Sequence, residues 1–286
     1  MDLWFSENTS DGHKISLRVK ESLFVGKSPY QDVAILDTED FGRILLLDGL
    51  FQTTERDEFI YHELIAHVPL MAHPEPKRVL VVGGGDGGTV REVLRHPSVE
   101  HVTLCEIDGM VVEQSKKWLP TIACKLDDPR VTVRIEDAIA FVATQEAAFD
   151  AILIDSSDPV GPGEGLFTRE FYTNARRALK PGGVLCVQTE SPIAMVESMT
   201  RAYKALYAVF PRVESFLGTI PTYPGHLWSW AFCTDGFGPN DRLREGDFEA
   251  LEAETKYYNR HVHQGAFAVP NFVQKILDGS RELARD

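Results

Sequence analysis

The sequence lacks several features that would assign it to a specialised class of protein. No apolar run reaches the roughly 18 residues needed to span a bilayer, and Met1–Trp4 has neither the basic nor the apolar region of a secretory signal. The four cysteines are scattered without CxxC pairs, so we predict no metal site and a reducing, cytoplasmic setting. Three of them, Cys105, Cys186 and Cys233, lie in apolar runs, which is typical of small buried residues.

Basic residues are also scarce. The chain of 286 residues has 29 Lys and Arg against 43 Asp and Glu, a formal net charge of −14. Phosphate binding needs a basic patch and none is present, so a nucleic-acid partner is excluded. The acidic excess indicates either simple solubility or attraction of a cationic substrate.

The first 56 residues have the pattern of strands and turns. His13–Val19 and Asp32–Leu36 alternate between apolar and polar residues, and the apolar run Gly42–Leu47 ends at the turn pair Asp48–Gly49. We therefore predict a small antiparallel β domain over residues 1–56, followed by a second domain over residues 57–286.

The second domain begins with a helix and then alternates strands and helices. Asp57 and Glu58 favour a helix start, and we expect Pro69, Pro74 and Pro76 to end that helix. Helical stretches such as Thr89–Arg95 and Met110–Trp118 separate apolar runs, which predicts a mostly parallel, doubly wound sheet. The predicted strands are Arg78–Val82, His101–Ile107, Val131–Ile135, Ala151–Ile154 and Gly183–Val187.

The end of the chain refines this fold class. Ser215–Ile220 and Trp228–Phe232 lie close together with a turn between them, which indicates an antiparallel hairpin at one edge of the sheet. That ending is typical of the class I methyltransferase variant of the Rossmann-like fold. From Tyr257 onward we predict a tail with one amphipathic helix, Pro270–Leu277.

A glycine-rich loop follows the first parallel strand. Gly83–Gly88 contains five glycines and Asp86, and Glu106 stands twenty positions beyond Asp86 at the end of the next strand. Such a loop lets backbone N–H groups, including those of Gly83 and Gly85, approach a ligand, and a carboxylate at the second strand end suits ribose hydroxyls.

Asp86 narrows the choice of ligand. An acid inside the loop would repel a pyrophosphate or a carboxylate and would hold an ammonium group, which favours a nucleoside carrying a cation over NAD. The alternative is a plain helix N-cap. Asp137, at the end of the third strand, either contacts the amino group of an adenine or simply opens a loop.

A second acidic segment follows the fourth strand and begins Asp155–Asp158, with Ser156 and Ser157 between the two carboxylates. Ligands of open α/β sheets bind beyond the carboxyl ends of the strands, so these carboxylates could bind a polyamine. The alternative is a solvated turn rich in Asp and Ser. Prolines and glycines after it are consistent with a shaped gate.

Three further side chains have two interpretations each. Tyr223, in a turn before the last strand, either packs or holds an ammonium or an aliphatic chain on its ring. Tyr61 and His62 lie on the helix that joins the two parts, where His62 by itself would be read as an ordinary surface or core histidine.

Taken together, several motifs in this order resemble the spermidine synthases of bacteria. The segments that carry the resemblance are Gly83–Gly88, Leu47–Gly49, Gln52–Phe59, Leu126–Arg130, Asp155–Pro162, Ile220–Pro224 and Glu254–Asn259. The resemblance implies an N-terminal β domain, a Rossmann-like domain and a homodimer or homotetramer. It also implies decarboxylated S-adenosylmethionine as aminopropyl donor, putrescine as acceptor, and no tightly bound cofactor.

The resemblance also implies roles for individual residues. On the donor side, Gln31, Glu106, Asp137 and its neighbour Ala138 bind the nucleoside with the loop glycines, and Pro162 touches it. Asp86 and His62 contact the aminopropyl or amine end, and Asp155 is the proton acceptor. The acceptor channel is lined by a further set, Asp158, Tyr61 and Tyr223, with Ser156 and Ser157 beside them.

Two positions depart from the family pattern. Ala138 stands where the family has glycine, close to the expected adenine, and His226 follows the Tyr223 turn, where we expect it to narrow the acceptor site or to change its chemical character. Three alternatives remain: a sister enzyme that uses cadaverine, agmatine or spermidine, a methyltransferase that uses intact S-adenosylmethionine, and a sensor of polyamines without catalysis.

Overall fold

The structure is a computed structural model that describes residues 2–157 and 161–285. Its first part is an antiparallel sheet in which each strand pairs with the next along the chain. At the turn after the fourth strand, Asp48 and Gly49 both have positive φ, 49° and 81°, as the turn pair predicts. The strands are β1 (Leu3–Ser10), β2 (His13–Lys27), β3 (Asp32–Thr38), β4 (Gly42–Leu47) and β5 (Leu50–Thr54).

The second part is a mixed sheet with the strand order β11-β12-β10-β9-β6-β7-β8. The five strands from β10 to β8 in this order run parallel, and β12 and β11 add an antiparallel edge, as predicted. The strands are β6 (Arg78–Gly83), β7 (His101–Glu106), β8 (Val131–Ile135), β9 (Phe149–Asp155), β10 (Leu179–Gln188), β11 (Arg212–Thr219) and β12 (Leu227–Thr234).

Helices cover both faces of this sheet. Parallel strands that are buried on both sides are apolar at successive positions, and Val79 to Val82 alternate between the two apolar cores. The helices are α1 (Glu58–Ala72), α2 (Gly88–Val93), α3 (Gly109–Trp118), α4 (Ala138–Ala143), α5 (Arg169–Ala178), α6 (Val196–Tyr207), α7 (Phe248–Glu252), α8 (Arg260–Ala266) and α9 (Asn271–Leu283). This arrangement confirms the Rossmann-like, methyltransferase-type fold.

The end predicted for the first long helix is confirmed only in part, because the helix stops before Pro74 but not at Pro69. Pro69 lies inside α1, which continues to Ala72. A proline removes one backbone hydrogen bond and disfavours a helix interior. The residues after it, Leu70, Met71 and Ala72, are fully buried, and this burial stabilises the last turn in spite of the proline.

The C-terminal tail also differs from the prediction of one helix. Two helices are present there, α8 and α9, and α9 runs to Leu283, six residues beyond the predicted end. Its apolar residues Val273 and Leu277 pack on α6, so the segment is part of the core of the domain. No helix in the described part of the chain is long and apolar enough to cross a membrane.

Candidate functional site

The predicted site residues come together at the carboxyl ends of the parallel strands. The loop Gly83–Gly88 follows β6, Glu106 ends β7, Asp137 follows β8 and Asp155 ends β9. The chain changes direction between β6 and β9, which are neighbours in the sheet but not in sequence. Ligands of open α/β sheets bind at such a switch point.

An open pocket at this edge has about 930 Å³ of empty space, solvent at its mouth included. Four carboxylates line it, those of Asp86, Glu106, Asp137 and Asp155, and among the described lining residues the only basic side chain is His62. The N-terminal sheet contributes to the wall as well. The remaining described lining residues are Gln31, Leu45, Leu47, Gln52, Tyr61, Val82, Gly83, Gly84, Gly85, Cys105, Ile107, Val111, Ala138, Ile139, Ser156, Ser157, Gly163, Leu166 and Tyr223.

The glycines of the loop make room for functional side chains as well as for a ligand. A Cβ on Gly84 would lie 2.6 Å from Asp155 Oδ2, and one on Gly88 would lie 2.3 Å from the His62 ring. Gly84 also has a φ of +67°, a backbone conformation that other residues rarely adopt. The loop sequence therefore allows Asp155 to approach the backbone of the loop itself and His62 to approach the backbone of α2.

Asp155 is held by two hydroxyl groups. Thr89 Oγ1 donates to Asp155 Oδ2 over 2.6 Å, and the Tyr61 hydroxyl donates to the same carboxylate. Burial, together with the nearby charge of Asp86, raises the pKa of Asp155 above its ordinary value, and these hydrogen bonds oppose the shift. The carboxylate is therefore a better proton acceptor than an exposed aspartate.

Asp86 has two partners within the protein. Its Oδ1 accepts the backbone N–H of Gly88 over 2.7 Å, and its Oδ2 lies 3.4 Å from His62 Nε2. Burial opposes its ionisation, but the charge of His62 and the Gly88 N–H bring its pKa below the ordinary value. One oxygen of Asp86 thus accepts the first N–H of α2, although the N-cap residue of this helix is Gly87, and the other oxygen faces His62. The contact of Asp86 with a ligand ammonium stays a prediction.

Glu106 lies in a different environment. Its Oε1 accepts the backbone N–H of Asp108 over 2.9 Å, and the N–H of Gly85 also reaches the carboxylate. Burial raises the pKa of Glu106 to about 7, and the neighbouring Asp108 carboxylate adds to the shift. Asp108 Oδ2 in turn accepts from Gln31 Nε2 over 2.9 Å, so the predicted nucleoside residues Gln31 and Glu106 are joined through Asp108.

Asp137 lies at the mouth of the pocket and begins α4. Its Oδ1 accepts the backbone N–H of Ile139 over 2.8 Å, an N-cap contact. Ala138 is the first residue of α4 and lies in helical backbone, which alanine favours, so the change from glycine introduces no strain.

Tyr61 and Tyr223 form part of the pocket wall. The rings of Tyr61 and Tyr223 meet edge to face at a centroid distance of 5.9 Å. The Tyr223 hydroxyl donates to the backbone carbonyl of Gln52 over 2.6 Å, which ties the turn before β12 to β5. Both tyrosines, with Ser156 and Ser157, also line a smaller cavity that contains the buried Glu7 of β1.

The expectation for His226 is wrong. The backbone φ of this residue is 60°. The side chain of His226 is exposed, and its Nδ1–H donates to the Pro221 carbonyl over 2.8 Å. This bond stays within its own turn, so the ring lies outside the described walls of both cavities. Asp158 lies outside the described residues. Pro162 belongs to a short 3-10 helix, Gly161–Phe167, and its predicted contact stays a prediction.

The sequence interpretation missed three residues of this site: Glu58, Thr89 and Asp108. Glu58 Oε2 lies 2.6 Å from His62 Nδ1. The four-residue spacing of Glu58 and His62 on one helix is a signal that could have revealed the pair. Thr89 had no such signal, because its contact with Asp155 joins residues that are distant in the chain. In the described part of the chain, no group of His, Cys, Asp or Glu is arranged to hold a metal ion.

Comparison with known proteins agrees with this geometry. Residues 58–241 match the family model of the spermine/spermidine synthase domain, and residues 3–55 match that of the spermidine synthase tetramerisation domain. The chain belongs to the spermine/spermidine synthase family. Its activity is aminopropyl transfer in polyamine biosynthesis.

Individual members of the family are similar over nearly the whole chain. A polyamine aminopropyltransferase of Thermoanaerobacter sp. (strain X514) is 50% identical over 279 residues, 97% of this chain and 99% of its own length. That of Bacillus subtilis (strain 168) is 44% identical over 276 residues, 96% and 99% of the two chains.

Solved structures agree with the fold. A crystal structure of spermidine synthase in complex with the transition state analogue AdoDATO is 42% identical, with a TM-score of 0.94 over 96% of this chain and 95% of that chain. Spermidine synthase from Thermotoga maritima is 41% identical, with a TM-score of 0.91 over 96% and 94%.

Proposed function

We propose that the enzyme transfers the aminopropyl group of decarboxylated S-adenosylmethionine to putrescine, giving spermidine and 5′-methylthioadenosine. The observation that carries this proposal is the pocket itself, in which four carboxylates are accompanied by one basic side chain. Such a lining favours a donor with a sulfonium and an ammonium, and an acceptor with two amines. The transition state analogue bound to a similar spermidine synthase also supports it.

On the donor side, the proposed contacts divide between two ends of the pocket. Glu106 would accept the ribose hydroxyls, supported by Gln31 through Asp108, and Asp137 and Ala138 would lie against the adenine. The backbone of Gly83 and Gly85 would approach the nucleoside, and Pro162 would touch it. At the other end Asp86 would hold the ammonium of the aminopropyl chain.

The acceptor would lie along the rings of Tyr61 and Tyr223, which suit an aliphatic chain with an ammonium at its end. Ser156, Ser157 and Asp158 would line its path, and His62 would act on the amine end through the carboxylate of Asp86, which it faces. The buried Glu7 in the adjoining cavity supports a cationic occupant there. The acceptor and its distal amine would thus be held by carboxylates at fixed spacing.

The proposed chemical step is a direct displacement. The lone pair of one acceptor nitrogen attacks the carbon next to the sulfonium, the carbon–sulfur bond breaks with its electrons moving to sulfur, and neutral methylthioadenosine leaves. The attacking nitrogen must have lost its proton, although an alkyl amine has a pKa of about 10.4. Asp155 orients this nitrogen and accepts the proton released as the new bond forms.

The experiment that tests the acceptor is a competition assay. The purified enzyme is given decarboxylated S-adenosylmethionine with an isotope-labelled aminopropyl group and equal amounts of putrescine, cadaverine, agmatine and spermidine, and the labelled products are identified by mass spectrometry. We expect spermidine as the main product. A larger yield from another amine would assign the enzyme to a sister activity.

We also propose that residues 1–56 and 57–286 are separate domains and that the chain forms a homodimer or homotetramer in a reducing cytoplasm. The tetramerisation-domain match over residues 3–55 supports assembly, as do the exposed side chains of Leu3, Trp4 and Val25. The free cysteines are consistent with a reducing compartment. Light scattering of the purified protein distinguishes two copies from four.

A further inference from the structure

His62 lies between two carboxylates in the floor of the pocket. Its Nδ1 is 2.6 Å from Glu58 Oε2, its Nε2 is 3.4 Å from Asp86 Oδ2, and the side chain is 3% exposed. A neutral imidazole has one N–H and one lone pair, so one of these carboxylate oxygens would face a lone pair. Only the imidazolium, which has two N–H groups, satisfies both contacts.

Close neighbours also restrict the His62 ring. The Cα of Gly88 lies so close that an added Cβ would be 2.3 Å from ring atoms of His62, and Tyr61 meets the ring edge to face at 5.5 Å. The imidazole therefore has little freedom to turn away from its two partners.

Glu58 is held in turn by Arg91. The guanidinium contacts both oxygens of Glu58, at 3.0 and 2.7 Å, and its Nε lies 2.6 Å from Glu92 Oε1. Neither Glu58 nor Arg91 lines the pocket. Charges of alternating sign thus run inward from Asp86 through His62 and Glu58 to Arg91.

We infer that Glu58, fixed by Arg91, is a positioning residue that keeps His62 as a built-in cation, so that Asp86 and Asp155 can both remain ionised in one buried pocket. The inference rests on the proposed roles of these two aspartates in binding the amine and accepting its proton. Two carboxylates that share a buried site repel each other, and one of them takes up a proton unless a cation is near.

The direction of the pKa changes agrees with this geometry. Burial favours the neutral ring, but Asp86 and Glu58 raise the pKa of His62 well above its ordinary value. The charged and titratable groups that face the ring come from every neighbouring element: Glu58 and Tyr61 from α1, Asp86 from the loop after β6, Arg91 from α2, and Asp155 from β9.

The variant Glu58→Gln tests the inference directly. Glutamine keeps the size of the side chain and an oxygen that can accept from His62, but it removes the charge. The control is Glu63→Gln on the same helix. Glu63 is equally buried, but its carboxylate accepts the backbone N–H groups of Lys256, Tyr257 and Tyr258.

The first readout is an NMR titration of protein labelled at histidine Cε1, with the His62 signal assigned by its loss in His62→Gln. In the wild type and in Glu63→Gln, we expect His62 to keep its proton well above the pH of roughly 6.5 at which a free imidazole titrates, because Asp86 and Glu58 raise its pKa. In Glu58→Gln the midpoint should fall by at least about one pH unit.

The second readout is the pH profile of kcat/KM. Loss of the His62 charge raises the pKa of the two aspartates, so the acid limb should move to higher pH in Glu58→Gln by roughly one unit. Glu63→Gln should not move it, even if it is less stable.

Two results would overturn the inference: a wild-type His62 that titrates at the ordinary imidazole value, or a Glu58→Gln midpoint equal to that of the wild type. The wild-type titration stands even if the variant fails to fold. Because the titration needs no substrate, it is independent of the proposed function. A shifted His62 midpoint with an unmoved acid limb would instead overturn the roles assigned to the aspartates.

Discussion

The two ends of the pocket each bury a carboxylate, but burial is followed by opposite changes in pKa. Glu106 and Asp86 are both buried carboxylates at the carboxyl edge of one sheet, yet the pKa of Glu106 is raised to about 7 and that of Asp86 is lowered. Glu106 has backbone N–H groups and another carboxylate as neighbours, whereas Asp86 has the charged ring of His62. The difference shows that burial alone does not set the charge, because a protein cation beside the group reverses the outcome.

This contrast fits the two kinds of ligand group proposed for the pocket. Neutral ribose hydroxyls can be bound by a carboxylate that ionises only when they arrive. An ammonium needs a carboxylate that is already ionised, since its charge provides most of the attraction.

The largest expected effect concerns Asp155, at the amine end. Asp155→Asn keeps the oxygen that accepts from Thr89 but cannot take the proton of the amine. We expect kcat to fall by at least about 10²-fold, the usual scale for general acid–base help. Binding of methylthioadenosine, measured by calorimetry, should be nearly unchanged. Turnover close to that of the wild type would exclude Asp155 as the proton acceptor.

The second effect concerns Glu106 and pH-dependent stability. The folded state keeps this proton up to about pH 7, whereas an unfolded glutamate releases it near pH 4.3. The stabilisation is thus fully present below the unfolded pKa and is lost as the pH rises through about 7. Between pH 5 and 8 the free energy of unfolding of Glu106→Gln should fall less than that of the wild type, by up to about 3 kcal/mol at roughly 1.4 kcal/mol per unit.

Urea denaturation at the two pH values measures this difference. Equal slopes for wild type and variant would show that Glu106 is already ionised in the folded state, and the contrast with Asp86 would disappear.

The third prediction compares the two ends through their ligands. Asp86→Asn keeps the hydrogen bond to the Gly88 N–H but loses the charge. It should therefore weaken the binding of decarboxylated S-adenosylmethionine about tenfold more than the binding of methylthioadenosine, which has no ammonium. Glu106→Gln should weaken both to a similar extent. Calorimetric titration of both ligands into both variants measures these affinities. If Asp86→Asn weakened the binding of both ligands equally, the proposed contact between Asp86 and the ammonium would be excluded.

The smallest effect is expected at the acceptor wall. Tyr223→Phe removes the hydrogen bond to the Gln52 carbonyl but keeps the ring. Loss of this neutral hydrogen bond costs about 1 kcal/mol. We expect the KM for putrescine to rise roughly fivefold while the KM for the donor stays the same. Steady-state kinetics with each substrate varied separately measure both KM values. A higher KM for the donor would contradict a position of the Tyr223 ring beside the acceptor.

Much of the fold and of the site could be predicted from the sequence because strand ends are local features. An apolar run followed by a glycine-rich loop or an acidic residue identifies where a parallel strand stops, and the sheet then brings those ends to one edge. Glu106, Asp137 and Asp155 were found in this way. The hairpin of β11 and β12 was predicted from equally local signals.

The errors share a physical cause, since they depend on contacts that sequence spacing does not contain. Pro69 continues a helix only because the residues after it are buried by other elements. His226 turns outward because its ring bonds within its own turn. Thr89 reaches Asp155 across two segments of the chain. The charge of His62, which decides the state of Asp86, depends likewise on packing between α1 and α2.

The most direct test of the contrast is the proton balance when methylthioadenosine binds. This ligand has ribose hydroxyls and no ammonium, so it reports on the Glu106 end alone. Calorimetry at about pH 6.5 in buffers of different ionisation enthalpy should show the wild type releasing roughly 0.7 of a proton, as Glu106 ionises to accept the hydroxyls, and Glu106→Gln releasing almost none. No release by the wild type, or equal release by the variant, would contradict the account.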